Sequence, residues 1–416
     1  MSSQLTFIAS CLFASVYQLE AIMSKYNKYF QPRKRSFPNK KRFFRAKRRP
    51  QLFDPSFLIQ KQSSNPKQNT AVSQHSFSDF QLDQQIEINL KNKNYLAPTP
   101  IQDKTIPLIN KGKDVVGIAN TGTGKTAAFL IPLIDKVSKN RFQKILIITP
   151  TRELAAQIQK EFIDLARNLN IYSTLCIGGV NIKSQIKNIR KSASFNIGTP
   201  GRLIDLEKRH ILKLKQFTTV VLDEVDRMLD MGFIHDIKHL ISLLPTNRQS
   251  LFFSATIEGK TNQIMKSFLK NPYIISVKKQ NITSNVNQKI VKLAGRNKID
   301  VLHNLLTKDG FNKVLVFGRT KWSMEKLSKT LIKKGLKATA IHGNKSQNQR
   351  QKALTQFKTG QVKVLLATDV AQRGLDINKV THVINFDLPE TQEDYIHRIG
   401  RTGRLNQKGI AITFIH

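Results

Sequence analysis

Two α/β domains on parallel sheets, preceded by a basic arm, form the architecture the sequence predicts, and three observations lead to it. Short apolar runs alternate with stretches of helical period, the alternation that lays helices over a parallel sheet. That series occurs twice, on either side of a polar stretch at 278–287 with no clear period. The formal charge of the 416 residues is +40, and the segment 25–49 carries twelve Lys or Arg with no Asp or Glu.

In chain order the arm comes first. Basic residues in 25–49 are interleaved with Tyr26, Tyr29, Phe30, Phe37, Phe43 and Phe44, a pattern suited to phosphate contacts and base stacking as well as to a solvated tail. Residues 62–75, rich in Gln, Ser and Asn, read as a linker, so the arm and linker together are assigned to 1–75 and folded structure is expected from about Ser76. The apolar run at 5–16 is too short for a membrane span, which needs about 20 residues. It also lacks the flanks of a secretory signal, and Met23 is an alternative start. Only Cys11 and Cys176 are present, which excludes a disulfide framework or a thiolate zinc site and suits a reducing compartment. The excess of positive charge calls for a polyanion, either nucleic acid or an anionic membrane face.

The first domain, 76–277, offers strands at 114–119, 144–149, 218–222 and 251–254, with helices at 125–137, 153–169 and 234–244. Strand, glycine-punctuated loop and helix succeed one another at 114–137. That order lets backbone N–H groups and a helix N-terminus face phosphate, with Lys125 on the β- and γ-phosphates and Thr126 on Mg²⁺. Ala119 stands where the strict Walker pattern has Gly. The strand ending at Leu222 delivers Asp223, Glu224 and Asp226 to the carboxyl edge of the sheet. There Asp223 can hold Mg²⁺ through water and Glu224 can orient an attacking water.

A linker at 278–287 leads to the second domain, 288–416, with strands at 314–317, 338–341, 362–366, 382–385 and 410–414. Its chemistry lies at 397–404, HRIGRTGR, where three arginines and a histidine surround two glycines. Arginine fingers that reach a γ-phosphate when the domains close account for that charge, and a basic RNA surface is the alternative.

These residues carry a family likeness. From Phe77 to His416 the chain resembles the DEAD-box RNA helicases of superfamily 2, in particular the bacterial RhlE type. PTPIQ (98–102), ANTGTGKT (119–126), PTREL (150–154), Gly178 with Gly179, TPGR (199–202), DEVD (223–226), SAT (254–256), VFGRT (316–320), ATDVAQRGLD (367–376) and HRIGRTGR appear in the family's order. GGVNI (178–182), RMLDMGFIHDI (227–237) and HGNKSQ (342–347) resemble the RhlE type.

The resemblance implies two tandem RecA-like domains and an ATP-dependent RNA helicase, an RNA-dependent ATPase with ATP and Mg²⁺ as cofactors. It implies that Gln102 reads adenine, with Tyr95 stacking on the base and Phe77 packing nearby. Thr121, Gly122, Thr123, Gly124, Lys125 and Thr126 would cradle the phosphates, and Asp376 would contact the ribose or the fingers. Arg401 and Arg404 match the fingers, and His397 would lie near the attacking water. Ser254 and Thr256 would couple the phosphate site to RNA. Thr151, Arg152, Gly179, Thr199 and Arg202, with Arg319, Gly343 and Thr368, match positions that grip the sugar-phosphate backbone. RNA with little sequence preference is the implied partner, with no membrane, in the cytoplasm or in an organelle of bacterial descent. DNA in place of RNA, and RNA binding with a decayed ATPase, remain the rival readings.

The departures are few. Asn94 replaces a Gly, Val225 the Ala of D-E-A-D, and Asn120 and Gln372 the commoner Gln and Ala. The chain stops at His416 on the last expected strand, without the family's closing helix.

Overall fold

The computed structural model describes residues 74–416 except 121, 192, 258–259, 278–284, 370–376, 378, 404–407 and 416. The arm at 1–73, most of the expected linker, and Thr121, Asp376 and Arg404 therefore lie outside the described residues.

A 3-10 turn at Phe77–Phe80 opens the first domain. Beyond it come α1 (Gln84–Asn92), α2 (Pro100–Asn110), β1 (Val115–Ile118), α3 (Lys125–Lys139), β2 (Ile145–Ile148), α4 (Arg152–Leu165), β3 (Ser173–Cys176), α5 (Ile182–Arg190), β4 (Phe195–Gly198), α6 (Pro200–Lys208), β5 (Thr219–Asp223), α7 (Val225–Asp230), α8 (Ile234–Ser242), β6 (Gln249–Ser254), α9 (Lys260–Phe268) and β7 (Tyr273–Ser276). The second domain runs β8 (Val286–Lys292), α10 (Lys298–Leu306), β9 (Val314–Phe317), α11 (Lys321–Lys333), β10 (Ala338–Ile341), α12 (Gln347–Lys358), β11 (Val364–Ala367), β12 (His382–Asn385), α13 (Gln392–Ile399) and β13 (Gly409–Ile415).

Both sheets are parallel throughout, in the orders β3-β4-β2-β5-β6-β1-β7 and β10-β11-β9-β12-β13-β8. Strand for strand the second repeats the first without its seventh member. Each sheet is buried on both faces because side chains alternate along a strand. In β2, Ile145 and Ile147 join one core while Leu146 and Ile148 join the other. In β9, Val314 and Val316 oppose Leu315 and Phe317 in the same way.

Two boundaries differ from the sequence reading. The helix expected at 153–169 ends at Leu165, because Asn168 and Asn170 take φ of 64° and 53°, a left-handed conformation that Asn tolerates and a helix cannot contain. The second domain begins inside the expected linker: Val286 already pairs with Gly409. The substituted Asn94 makes its turn at φ 56°, so the missing glycine costs little there. Val225 is fully buried in the core of the first domain, which accommodates the larger side chain.

Candidate functional site

In a parallel sheet every strand delivers its succeeding loop to one edge, and both candidate regions stand on those carboxyl edges. In the first sheet, β1, β5 and β6 lead to the phosphate loop, Asp223 and Ser254, while β2, β3 and β4 lead to Thr151, Gly179 and Thr199. The strand order therefore separates the residues expected at the nucleotide, here the nucleotide half, from those expected at RNA, here the RNA half. In the second sheet, β9, β10 and β11 lead to Arg319, Gly343 and Thr368, and α13 with the turn behind it carries His397 and Arg401.

The phosphate loop is closed on itself. Lys125 Nζ donates to the Ala119 carbonyl at 2.8 Å, and Thr123 Oγ1 donates to that of Asn120 at 2.8 Å. Gly122 and Gly124 hold φ of 87° and 89°. A Cβ on Gly124 would sit 2.4 Å from Gln102 Nε2, so glycine is required by conformation and by space. Gln102 is buried. Its Nε2 donates to Gly124 O at 3.1 Å and its Oε1 accepts from Thr99 N at 2.9 Å. The residue expected to read adenine is thereby braced against the phosphate loop, with one donor and one acceptor site still to spend. Tyr95 donates its hydroxyl to Glu161 at 2.6 Å. Phe77 lies in the core, edge-on to Phe80.

Burial pushes the Asp223 carboxyl well above the ordinary carboxylate range; Lys125 opposes the rise and Glu224 adds to it. Such a carboxyl, close to Lys125, fits a divalent cation that would ionise it, and Thr126, next along the chain and half-buried, adds a hydroxyl, so these donors suit Mg²⁺. Glu224, at φ 54°, is held by Arg227 Nη1 at 2.9 Å, with both side chains buried. Asp226 accepts from Ala255 N at 3.0 Å and Thr256 N at 3.2 Å, while Ser254 Oγ donates to Thr256 O at 2.7 Å. Burial raises the Asp226 carboxyl, but Lys125 and Arg227 outweigh it and hold the group below its usual value.

On the RNA half, Thr151 caps α4 by accepting from Leu154 N at 3.2 Å. The Arg152 guanidinium lies over the glycine pair, where a Cβ on Gly179 would come within 2.5 Å of Nη1. Thr199 stands at the N-cap position of α6 without a side-chain bond to the helix, and Arg202 pairs with Asp205 at 3.4 Å. Across the domains, Glu153 accepts from Gln347 at 3.2 Å and pairs with Arg350 at 2.7 Å. That buried contact joins α4 of the first domain to α12 of the second. Arg319 and Gly343 are exposed and Thr368 is buried at the end of β11.

The structure separates the arginines of HRIGRTGR. Arg398 is 1% exposed and grips Asp369 with Nε and Nη2, both at 2.6 Å, while Nη1 donates to the Asp387 carbonyl at 2.6 Å. It is a structural tie and not a finger. Arg401 is buried in the turn behind α13. Sequence reasoning had no roles for Asp226, Arg227, Glu153, Gln347 or Arg350, and it grouped Arg398 with the finger arginines. Only Glu224 with Arg227 left a signal, an i, i+3 spacing of opposite charges.

Residues 99–264 match the family model of the DEAD/DEAH box helicase, and 297–406 that of the helicase conserved C-terminal domain. The chain is 45% identical over 341 residues to an ATP-dependent RNA helicase CshA of Listeria monocytogenes, covering 82% of this chain and 66% of that one. With the CshA of Geobacillus kaustophilus the identity is 43%, covering 82% of this chain and 73% of the relative. The chain thus spans about two thirds to three quarters of the length of these relatives. Among solved structures, Mss116p bound to single-stranded RNA and AMP-PNP matches with a TM-score of 0.75 at 28% identity, over 84% of this chain and 76% of that one. Saccharomyces cerevisiae Dbp5 bound to RNA and ADP BeF3 matches with 0.72 at 30%, over 82% and 89%.

Proposed function

The chain belongs to the DEAD-box ATP-dependent RNA helicases, and from that premise we propose that it clamps single-stranded RNA by its backbone across both domains and opens short duplexes locally. The observation that supports this is the layout of the first carboxyl edge, where the residues expected at the nucleotide follow β1, β5 and β6, those expected at RNA follow β2, β3 and β4, and hydrogen bonds from Ala255 and Thr256 to Asp226 tie the β5 and β6 loops together. Bound nucleotide and bound RNA then favour the same closed pairing of domains, in which Glu153 meets Gln347 and Arg350.

In this reading Gln102 offers its remaining donor and acceptor to adenine N7 and N6, and Tyr95 stacks on the ring. Thr121 to Thr126 hold the phosphates. Mg²⁺, held by Thr126 and by Asp223 through water, supplies charge that offsets the phosphate oxygens. Glu224, released from Arg227, orients the attacking water. Arg401 and Arg404 complete the charge around the γ-phosphate, with His397 near the water and Asp376 by the ribose. Thr151, Arg152, Gly179, Thr199, Arg202, Arg319, Gly343 and Thr368 hold phosphates and sugars, so binding has little sequence preference and a steep salt dependence. The arm adds non-specific affinity by holding RNA near the core.

The likeness to the RhlE type rests on 178–182, 227–237 and 342–347 alone, and the Listeria and Geobacillus relatives carry the name CshA. No helix among the described residues is long and apolar enough to cross a membrane; a cytoplasmic location, or an organelle of bacterial descent, is part of this proposal. ATP turnover by the full chain with matched single-stranded RNA and DNA tests the reading. Stimulation by RNA but not DNA, abolished in Lys125→Ala, is expected. Equal stimulation by DNA would remove the RNA preference, and a background rate that Lys125→Ala does not lower would leave only an RNA-binding protein.

A further inference from the structure

Trp322 is the only tryptophan of the chain, and it is 71% exposed. A single exposed apolar residue is ordinary on a protein surface, so exposure by itself assigns it no role. Its position distinguishes it from the other exposed aromatic residues. Phe142, Tyr172 and Tyr273 stand at the start of β2, β3 and β7, on the amino edge of the first sheet. Trp322, among the exposed aromatics described, alone stands on a carboxyl edge, in the first turn of α11 and three residues past Arg319.

The ledge beneath it is held rigidly. Lys321 Nζ lies 5.9 Å from the Trp322 ring centroid and donates to Asn344 Oδ1 at 2.9 Å, tying the start of α11 to the loop after Gly343. One turn on, Glu325 takes His342 Nε2 at 3.0 Å and Lys345 Nζ at 3.2 Å, so the nearest carboxylate is already engaged. Thr320 Oγ1 accepts from Ser323 N at 3.1 Å and fixes the helix entry. The result is an exposed ring beside Lys321 and three residues from Arg319, on a helix start tied to the loop that carries Lys345. An aromatic face among cations suits a nucleobase whose phosphates the cations hold.

We propose that Trp322 is a stacking platform for one base of the bound single-stranded RNA, at the β9–β10 side of the second domain. The assignment deepens the clamp reading and rests on it. The backbone contacts of the clamp ignore base identity, whereas a stacked ring adds a modest preference for bases that stack well.

Because the chain has one tryptophan, its emission reports this position without any substitution. Full-length protein is titrated with a short oligoadenylate and, separately, an oligouridylate, with AMP-PNP present, while the anisotropy of end-labelled RNA records binding. Tryptophan emission is expected to fall as RNA binds, more with oligoadenylate. Trp322→Ala is expected to weaken RNA binding about fivefold and Trp322→Phe to restore most of it. Binding by anisotropy with unchanged emission, or equal affinity for Trp322→Ala, overturns the platform and leaves the clamp standing. No binding by anisotropy overturns both.

Discussion

The two sheets share a strand order, with β1 and β8 in equivalent places, yet the loops leaving those two strands differ in chemistry. After β1 the chain enters α3 through Gly124, whose left-handed cap has no side chain to bond the first N–H groups, so these stay open to an anion. After β8 the chain turns at Ala294 and Gly295, φ 45° and 77°, and enters α10 through Asn297. Asn297 Oδ1 accepts from Ile299 N at 2.9 Å and Asp300 N at 3.4 Å, and the Asp300 carboxylate adds negative charge in the first turn. The same strand-to-helix step ends in an open glycine cap in one domain and a side-chain-capped helix in the other. In the proposed reading phosphate binding belongs to the cap residue and its glycines, not to the fold alone, and the second domain contributes Arg401 on closure.

If that division of labour is right, substitutions should separate cleanly by domain. Arg401→Ala should lower RNA-stimulated ATP turnover by about 10³, with nucleotide affinity in the absence of RNA retained, because its charge serves the closed state. Loss of that affinity too would place Arg401 in the open site and break the comparison. In the first domain Lys125→Ala should lower turnover by at least about 100-fold in the same assay. Arg398→Ala tests the claim that Arg398 is a structural tie. Removing the buried guanidinium that holds the half-buried Asp369 and the Asp387 carbonyl should cost about 2 kcal/mol of second-domain stability, read as a lower midpoint in denaturant. An unchanged midpoint would return Arg398 to the candidate fingers. Asn297→Ala, at the mirror of Gly124, should cost about 1 kcal/mol of stability and leave ATP turnover unaltered. A change in turnover there would mean that the second cap takes part in the chemistry.

The parts of the fold that were legible share a physical reason. Central strands β2, β5, β6, β9 and β12 are buried on both faces and so read as apolar runs. β7 is an edge strand with most side chains exposed, β8 alternates along the other sheet's edge, and β3 mixes buried with half-buried positions at an edge. None of these three leaves a run. β4 is buried throughout, but its sequence FNIG holds one polar residue and one glycine, which masks it. In the site, residue types at fixed spacing announced the phosphate loop and the acids. The ties among them were silent, because Asp226 and Thr256, Glu153 and Arg350, or Arg398 and Asp369 meet only once separate strands are laid side by side.

By itself the sequence determined the pair of parallel α/β domains, the glycine loop with its lysine and the run of acids, since local propensity and spacing suffice for each. Tertiary structure alone decided that Arg398 is a tie while Arg401 stays in the turn behind it, that Gln102 braces the phosphate loop, and that Trp322 stands on a carboxyl edge. Those outcomes depend on which loops the strand order makes neighbours, a relation between residues tens to hundreds of positions apart that no local pattern encodes.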